Sequence, residues 1–593
     1  MAERVDAILA VESHDGDPAI RPQPTLDGHE LPRHLRLPCR WLVIRRRAAT
    51  CQAAVAGVEY GMTRKIDMLR LERALDQRFA RYAAPGSPGL IVGVRRGDSV
   101  EFVKGWGLAS IEHGVPIGPA TRFRIASVTK QFTVTAALML AAEGKLSLDA
   151  APHDYLPELK KLPVTIDQMM RNSSGLPDFL ELLRLGGHGL DKPAQAQDLL
   201  AVCARNTHLN FPPGSRFLYS NTNFLMLGEI VARLEGAPLA DVLRRRVLEA
   251  AGLTRTLLAP RMDTVVPDLA TSYLGDAEAG FTRAAHAYPQ GGEGGLISTV
   301  EDLLLWSAAF DAGPLASVLT KLATPKKLTG EHDNPYRRGL DSSMLGRLAG
   351  IGHGGLWPGF RTELLRLPAA DLAIVVIANL ASIDPWRVAR DVARLILAGD
   401  NRIAEASPLG ERDFRPLKGL WFDPAEPALV ELDWRAGEPV AIQNGTPFTL
   451  APRADGWLAA ERGSFEFAAR AGRGATLQVD FGAGRVRTLR RAGRRAAPPA
   501  ALAGLWRSAD AGAEWRIARG TSGWEVAVSG PYAGGGAPWT LSGLDADTVE
   551  VTMPAGGWLR TTQLARLERD RAGRIAALSV FTGRVKGLRF ERV

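Results

Sequence analysis

The sequence predicts an α/β domain over residues 62–400, followed by two small antiparallel β-barrels over residues 401–490 and 501–593. Two observations carry this prediction. Strand and helix patterns alternate through the first region, whereas short alternating strands separated by Gly, Pro and Asp turns fill the remainder. The remainder also contains an internal repeat, which two copies of one small β unit explain.

Composition and charge exclude several classes of protein. The 593 residues are 46% hydrophobic and 23% charged, which supplies several packed cores and excludes a disordered or fibrous chain. The net charge is +9, but the basic residues are spread along the chain and indicate no nucleic-acid partner. Cys39, Cys51 and Cys203 fit neither a disulfide framework nor a metal site. We therefore expect no metal and no cofactor.

The N-terminal residues differ from the rest of the chain. Residues 1–61 show no periodic pattern that would build a core, and Met62 opens a segment that soon becomes helical. We expect a disordered or misassigned N-terminal extension, with a functional domain as the alternative. Residues 1–30 lack a basic region followed by an apolar one, and no apolar run is long enough for a membrane span. The expected location is cytoplasmic, without a membrane partner.

The α/β region contains four elements that periodicity predicts. They are a hairpin at residues 89–94 and 100–106, a helix at 123–143, an apolar strand at 372–378 and a helix at 385–397. The first helix is rich in Ala, Leu and Thr and is stopped by Gly144.

The two β-barrels are predicted from the repeat. LKGLW at residues 417–421 returns as LAGLW at 502–506, and GRV at 484–486 returns at 583–585. These landmarks are 65 residues apart in the first copy and 79 in the second, so the second copy is 14 residues longer. We place the extra residues among the Gly-rich turns at 530–538 and 554–557 and expect an active-site loop.

A serine and a lysine stand near the start of the helix predicted at 123–143. Ser127 and Lys130 lie one helical turn apart on one face, so the amine can approach the hydroxyl. A lysine whose pKa is lowered by burial can take the proton that a serine must lose to become a nucleophile. The alternative is that Ser127 is only a helix cap.

Two further motifs carry candidate site residues. Tyr219 and Asn221 follow a PPGS turn, which places them on a loop where a tyrosine can relay protons and an asparagine can hold a substrate amide. His353 and Gly355 precede an aromatic turn and a strand, and glycine there lets a substrate backbone lie close to the strand. A loop aromatic and a satisfied surface histidine are the alternatives for Tyr219 and His353.

Ser-x-x-Lys, Tyr-x-Asn and His-x-Gly follow one another at separations of 92 and 134 residues. In this order they resemble the three motifs of the serine beta-lactamase and penicillin-recognising superfamily. The resemblance covers residues 66–398 and implies a beta-lactamase-like catalytic domain at 62–400. It implies that Ser127 forms an acyl-enzyme, that Lys130 accepts its proton and that Tyr219 relays the proton to the leaving group.

The resemblance also implies roles for the residues around this triad. The backbone N–H groups of Ser127 and Leu356 form an oxyanion hole. Asn221 orients the substrate amide, Gly355 lies beside the substrate, and His353 supplies a positive or donating edge next to Tyr219.

A histidine in the third motif together with two C-terminal barrels resembles the D-stereospecific aminopeptidases. That group includes D-amidases, D-esterases and D-peptidases, and it places an acid on a loop of the last barrel to meet the free amine of the substrate. The matching residues here, 553–561, contain no acid. The nearest acids upstream are Asp545, Asp547 and Glu550, of which we assign Asp547 to substrate binding.

The expected function is that of a serine hydrolase releasing N-terminal D-amino acids, such as D-alanine, from small peptides, amides or esters. A D-esterase, D-amidase or D,D-peptidase of the same superfamily is the alternative, and a non-catalytic penicillin-binding-like protein is a further one. The sequence leaves open the side chain, the need for a free amine and the oligomeric state, for which a homodimer is one alternative.

Overall fold

The computed structural model divides the chain into two units, Met1–Arg64 and Lys65–Val593. It describes residues 67–593 except for 190–191, 260, 288–290, 404–408, 454, 461–466, 483–484, 494–495, 522 and 555–561. The extension predicted at residues 1–61 lies outside the described residues.

The α/β domain is built from helices and strands that alternate irregularly along the chain. In the described residues its helices are α1 (Met68–Phe79), α2 (Thr129–Ala142), α3 (Ile166–Met170), α4 (Phe179–Leu185), α5 (Ala196–Arg205), α6 (Asn221–Glu235), α7 (Leu239–Leu243), α8 (Val300–Ala308), α9 (Ala316–Leu322) and α10 (Pro385–Ile396). Its strands there are β1 (Leu90–Arg96), β2 (Ser99–Trp106), β3 (Leu108–Ser110), β4 (Val115–Pro116), β5 (Phe123–Arg124), β6 (Leu257–Leu258), β7 (Tyr273–Asp276), β8 (Gly280–Arg283), β9 (Leu296–Ser298), β10 (Asp341–Leu345), β11 (Leu348–Trp357), β12 (Phe360–Leu367) and β13 (Leu372–Ala378).

Six antiparallel strands form the central sheet, in the order β10-β11-β12-β13-β1-β2. Strand β13 is buried at every residue, since helices cover both faces of the sheet. Leu75 of α1 and Val392 of α10 pack on one face. On the other face, Val300 of α8 lies so close to β1 that a Cβ atom on Gly93 would come within 2.6 Å of it. The predicted hairpin is confirmed as β1 and β2, and the predicted late strand and helix are β13 and α10.

The helix that carries Lys130 begins later than predicted. Phe123–Arg124 form strand β5 and pair with β9, and a 3-10 turn at Ala126–Val128 precedes α2. Ile125 continues this pairing by donating its N–H to the Leu296 carbonyl at 3.0 Å, and Ala126 has a φ of 48°, which no α-helix accommodates. Ser127 therefore lies on the turn, just before α2.

Two sheets follow the α/β domain. In the described residues the region contains α11 (Glu411–Phe414), β14 (Gly419–Asp423), β15 (Ala428–Arg435), β16 (Glu438–Gln443), β17 (Thr446–Thr449), β18 (Ala451–Pro452), β19 (Leu458–Ala459), β20 (Ala468–Ala471), β21 (Thr476–Asp480), β22 (Val486–Arg491), β23 (Gly504–Ser508), β24 (Ala513–Gly520), β25 (Gly523–Ser529), β26 (Trp539–Gly543), β27 (Thr548–Thr552), β28 (Thr562–Arg569), β29 (Ile575–Phe581) and β30 (Lys586–Arg592). Strands β14–β22 form a nine-stranded, nearly closed sheet, and β23–β30 form a closed barrel.

Both copies of the repeat begin with the same local structure. Trp421 and Trp506 each donate from Nε1 to the carbonyl of the leucine four residues earlier, at 2.8 and 3.0 Å. Arg491 and Arg592 lie over these rings, with the guanidinium carbon 4.5 and 4.8 Å from the ring centre. The repeat predicted from the sequence is therefore also a repeat in structure.

One end of the second barrel contacts the α/β domain. Because neighbouring strands are antiparallel, alternate turns of the barrel lie at the same end. Three alternate turns hydrogen-bond to the α/β domain, through Asp510 to Thr207, Tyr532 to His188 and Arg584 to Asp178. The turns at 544–547 and 570–574 lie at the opposite end.

Candidate active site

Ser127 and Lys130 meet at the N-terminal end of α2. The Nζ atom of Lys130 lies 3.0 Å from the Oγ atom of Ser127. The preceding residue, Ala126, has a left-handed φ of 48°, a conformation that costs a non-glycine residue about 1–2 kcal/mol. Such strain is typical of functional sites, where surrounding contacts maintain it. The strained residue here directly precedes the candidate nucleophile.

Among the described residues, Lys130 has two further polar partners, and both are carbonyl oxygens. Its Nζ donates to Oδ1 of Asn221 at 2.9 Å and to the backbone oxygen of Glu293. These atoms only accept, so they hold the two N–H bonds of a neutral amine and leave its lone pair for Ser127 Oγ. Lys130 has no exposed surface, and burial lowers its pKa. A neutral Lys130 is thus placed to accept the Ser127 proton.

Tyr219 lies beside both residues, on the loop before α6. Its ring centre is 5.0 Å from Lys130 Nζ. Burial raises the pKa of Tyr219, whereas the charge of Arg584 and a side-chain hydrogen bond with Ser127 act in the opposite direction. The net shift is upward, so the phenol stays protonated and is a proton donor at neutral pH.

Asn221 connects Lys130 to a buried carboxylate. Its Oδ1 accepts from Lys130, while its Nδ2 donates to Asp178 Oδ2 at 2.9 Å. The Asn221 backbone N–H donates to the same oxygen, also at 2.9 Å. Asp178 is the N-cap of α4 and has no exposed surface. The Asn221 amide therefore links Asp178 to Lys130 and positions the lysine. Contact between Asn221 and a substrate amide stays a prediction.

His353 joins the cluster from β11 in its neutral form. Nδ1 lies 2.6 Å from the Gly354 carbonyl oxygen, which only accepts, so Nδ1 carries the proton. Nε2 then accepts from the Tyr336 hydroxyl at 2.9 Å. Burial lowers the pKa of His353, and its ring centre is 6.0 Å from that of Tyr219. The structure places His353 beside Tyr219 as expected. Of the positive or donating edge that the resemblance implies, it disfavours the positive form.

Strand β11 passes close to the turn that carries Ser127. A Cβ atom on Gly355 would lie 2.3 Å from the Ile125 carbonyl oxygen, so a larger residue would push the strand away. Strand β10 pairs with β11 only from Leu348 to Gly352, which leaves Gly355 and Leu356 beyond that pairing. Leu356 thus lies next to the segment that leads into Ser127, and its part in an oxyanion hole stays a prediction.

Asp547 lies outside this cluster. It belongs to the turn between β26 and β27, at the end of the second barrel opposite the α/β domain. Its carboxylate pairs with Arg569 at 2.8 Å, and Asp545 of the same turn pairs with Arg490 at 3.1 Å. Glu550 is buried within β27. The structure corrects the expectation that Asp547 binds the substrate, because the alternating barrel strands carry its turn away from Ser127.

Four residues of the cluster are absent from the sequence predictions, namely Asp178, Glu293, Tyr336 and Arg584. Two of them have a signal in the sequence. Asp178 follows a proline and heads an apolar helix, which is typical of an N-cap, and Arg584 belongs to the repeated GRV landmark. Tyr336 and Glu293 come to the site only through tertiary packing.

The described residues show neither a metal-binding side-chain group nor a helix that could span a membrane. Within residues 67–593, apart from the gaps given above, no group of three or more His, Cys, Asp or Glu side chains is arranged to hold a metal ion. Across the same part of the chain, none of the helices combines the length and the apolar composition that crossing a membrane requires.

Residues 73–398, more than half of the chain, match the family model described as Beta-lactamase. The chain therefore belongs to the beta-lactamase family, a class of serine hydrolase.

Its curated relatives include two D-aminopeptidases. That of Gluconobacter oxydans (strain 621H) is 30% identical over 313 residues, which cover 52% of this chain and 58% of the relative. That of Brucella anthropi is 32% identical over 319 residues, which cover 53% and 59%. The chain thus spans less than two thirds of the length of these relatives.

A solved structure shares the fold. It is the octameric penicillin-binding protein homologue from Pyrococcus abyssi, with a TM-score of 0.52 and 21% identity. The match covers 72% of this chain and 100% of that one.

Proposed function

We propose that this chain hydrolyses amide or ester bonds formed by the carboxyl group of a D-amino acid, in small peptides, amides or esters. The observation that carries the proposal is the contact between Ser127 and a buried Lys130 whose N–H bonds are taken by carbonyl oxygens. The names of the two D-aminopeptidase relatives support the D-stereospecificity. The chemistry requires no cofactor.

The first half-reaction forms an acyl-serine. Ser127 Oγ attacks the substrate carbonyl carbon while Lys130 takes the hydroxyl proton. The oxyanion that develops binds the N–H groups of Ser127 and Leu356, and one such donor contributes about 3 kcal/mol in other hydrolases. When the C–N or C–O bond breaks, Tyr219 gives its proton to the leaving group and regains one from Lys130.

The second half-reaction hydrolyses the acyl-serine and regenerates the free enzyme. Water attacks the acyl carbon, and neutral Lys130 removes its proton, directly or through Tyr219. The ester bond to Ser127 breaks, Ser127 Oγ takes the proton back, and the D-amino acid leaves as its carboxylic acid. The net reaction consumes one water and leaves every side chain in its starting state.

A D-esterase, D-amidase or D,D-peptidase without a requirement for a free α-amine is the second candidate. The position of Asp547 favours it, because this acid, which was assigned to bind that amine, lies at the end of the second barrel opposite the α/β domain.

Aminoacyl p-nitroanilides test the proposal. We would measure D and L forms, each free and N-acetylated, with the wild type, Ser127→Ala and the exposed control Ser147→Ala. We expect turnover of D forms only, a loss on the order of 10³-fold in Ser127→Ala, and normal rates in Ser147→Ala. Equal use of D and L forms, or an active Ser127→Ala, would overturn the proposal.

A further inference from the structure

Arg584 brings a positive charge from the second barrel to the catalytic cluster. It lies in the turn between β29 and β30, and its guanidinium carbon is 4.6 Å from the centre of the Tyr219 ring. Its Nη1 atom donates to Asp178 Oδ2 at 3.3 Å, and 25% of its side chain remains exposed. The Arg584 side chain is therefore next to the proposed proton relay and partly exposed.

The α/β domain holds the turn of Arg584 in place through its backbone. The Arg584 N–H donates to the Glu181 carboxylate at 3.1 Å, and its carbonyl oxygen accepts from Asn210 Nδ2 at 3.1 Å. Two residues on, the Lys586 N–H donates to Asn210 Oδ1 at 2.7 Å. Because these hydrogen bonds already fix the turn, a ligand that binds Arg584 orders little further backbone and loses little conformational entropy.

Two acids of the described residues contact Arg584, and both are already engaged. Asp178 Oδ2 accepts two N–H groups of Asn221 besides Arg584, and Glu181, whose pKa burial raises, accepts the Arg584 backbone N–H. A substrate ammonium group would therefore meet a like charge beside Tyr219, whereas a carboxylate would meet a donor.

We propose that Arg584 binds a carboxylate on the leaving group of the substrate. The inference rests on the proposed function, in which Tyr219 gives a proton to the leaving group, so that group lies next to the Tyr219 ring and Arg584. A guanidinium offers paired N–H donors that match a carboxylate. The preferred substrates are then peptides whose released amino acid carries a free carboxylate, and simple amides and esters are poorer.

Matched substrates test this preference. A D-alanyl dipeptide with a free carboxylate and the same dipeptide as its C-terminal amide differ only in that group. We expect wild-type kcat/KM to favour the acid by about tenfold or more, and Arg584→Met to remove that preference mainly by raising KM for the acid. A carboxylate on the acyl side of the cleaved bond, as in N-succinyl-D-alaninamide, should not raise kcat/KM in this way.

The first barrel supplies a matched control. Arg485 holds the equivalent place in the first copy of the repeat, where it pairs with Glu426 at 2.8 Å. Arg485→Met should keep the wild-type ratio of acid to amide. The inference is overturned if wild type treats acid and amide alike, or if Arg584→Met lowers both by the same factor, which is the result for a merely structural arginine.

A binding measurement separates this inference from the proposed function. Ser127→Ala protein is titrated with the D-alanyl dipeptide and with its C-terminal amide, which differ only in the leaving-group carboxylate. We expect tighter binding of the acid, and loss of that difference when Arg584→Met is added. If no substrate is hydrolysed yet this difference is present, the proposed function fails and the carboxylate site stands; if substrates are hydrolysed but the difference is absent, the site fails.

Discussion

The side-chain nitrogen of Lys130 lies 3.0 Å from the hydroxyl oxygen of Ser127, and Lys130 has no exposed surface. The two groups are therefore in contact before any substrate binds. The remaining partners of Lys130, on Asn221 and Glu293, determine which way its lone pair points. The proposed proton transfer from Ser127 to Lys130 depends on this contact.

The pH dependence should report the state of Lys130. Burial lowers the pKa of Lys130, whereas the charge of Glu293 raises it. Only the neutral amine accepts a proton, so kcat/KM should rise with pH through a midpoint well below the ordinary lysine value of about 10.4. Glu293→Gln removes the neighbouring charge and should move this acid limb to lower pH. An unmoved limb, measured over about pH 5–10, would contradict the electrostatic effect of Glu293 on Lys130.

Asp178 should act on the rate through Asn221. Asp178→Asn keeps the shape of the side chain but loses the charge that accepts two N–H groups of Asn221. We expect a fall in kcat of about 10- to 100-fold, since a misplaced base is a poor one. Because the charge of Asp178 also raises the pKa of Lys130, the acid limb should move to lower pH. A lower kcat with an unmoved limb would indicate a general loss of structure instead.

Asp545 and Asp547 should have no part in substrate selection. Both pair with arginines at the end of the second barrel away from the α/β domain. The double variant Asp545→Asn/Asp547→Asn should therefore keep the wild-type ratio of rates on free and N-acetylated substrates. A selective loss on the free amine would contradict the position that the structure gives this turn.

Asp167 should be the largest single ionic contribution to stability near the site. It accepts from Arg171, Lys326 and Arg338 at 2.7–3.0 Å. Burial raises the pKa of Asp167, but these three cations outweigh it and hold the value at about 2. Asp167→Asn leaves them uncompensated and should lower the free energy of unfolding by roughly 3–5 kcal/mol in urea titrations.

The same carboxylate predicts an effect of acid. Its folded pKa lies below the unfolded value of about 3.9, so its stabilisation is present above that pH and is lost as the pH falls towards 2. The variant should lack this part of the acid dependence. Asp263→Asn, at an exposed pair with Arg261, is the control and should change little. Equal stability of the two variants would contradict the prediction.

The sequence predicted which residues meet at the candidate site better than it predicted their surroundings. Ser127 and Lys130 can be recognised in the sequence because their spacing of one helical turn brings them together. The motifs around Tyr219 and His353 follow in a fixed order. Glu293 and Tyr336 come to the site only through packing of distant segments, which no local pattern encodes.

The fold shows the same division between local and tertiary causes. The hairpin of β1 and β2 and the late strand β13 follow from local periodicity. The start of α2 does not follow from local periodicity, because pairing of Phe123–Arg124 with β9 overrides the helical preference of that segment. Asp547 was misplaced for a similar reason, since the end of the barrel at which a turn lies depends on the count of strands before it.

The most direct test of the account is capture of the acyl-enzyme. A slowly released D-aminoacyl ester is mixed with the wild type, Ser127→Ala and Lys130→Met, and the intact and digested proteins are weighed by mass spectrometry. We expect the wild type to gain the mass of the D-acyl group on the peptide that contains Ser127, no gain in Ser127→Ala, and a rate of gain reduced on the order of 10³-fold in Lys130→Met. Label on another residue, or equal labelling by the L-ester, would contradict the central claim that Ser127 is the nucleophile of a D-stereospecific hydrolase.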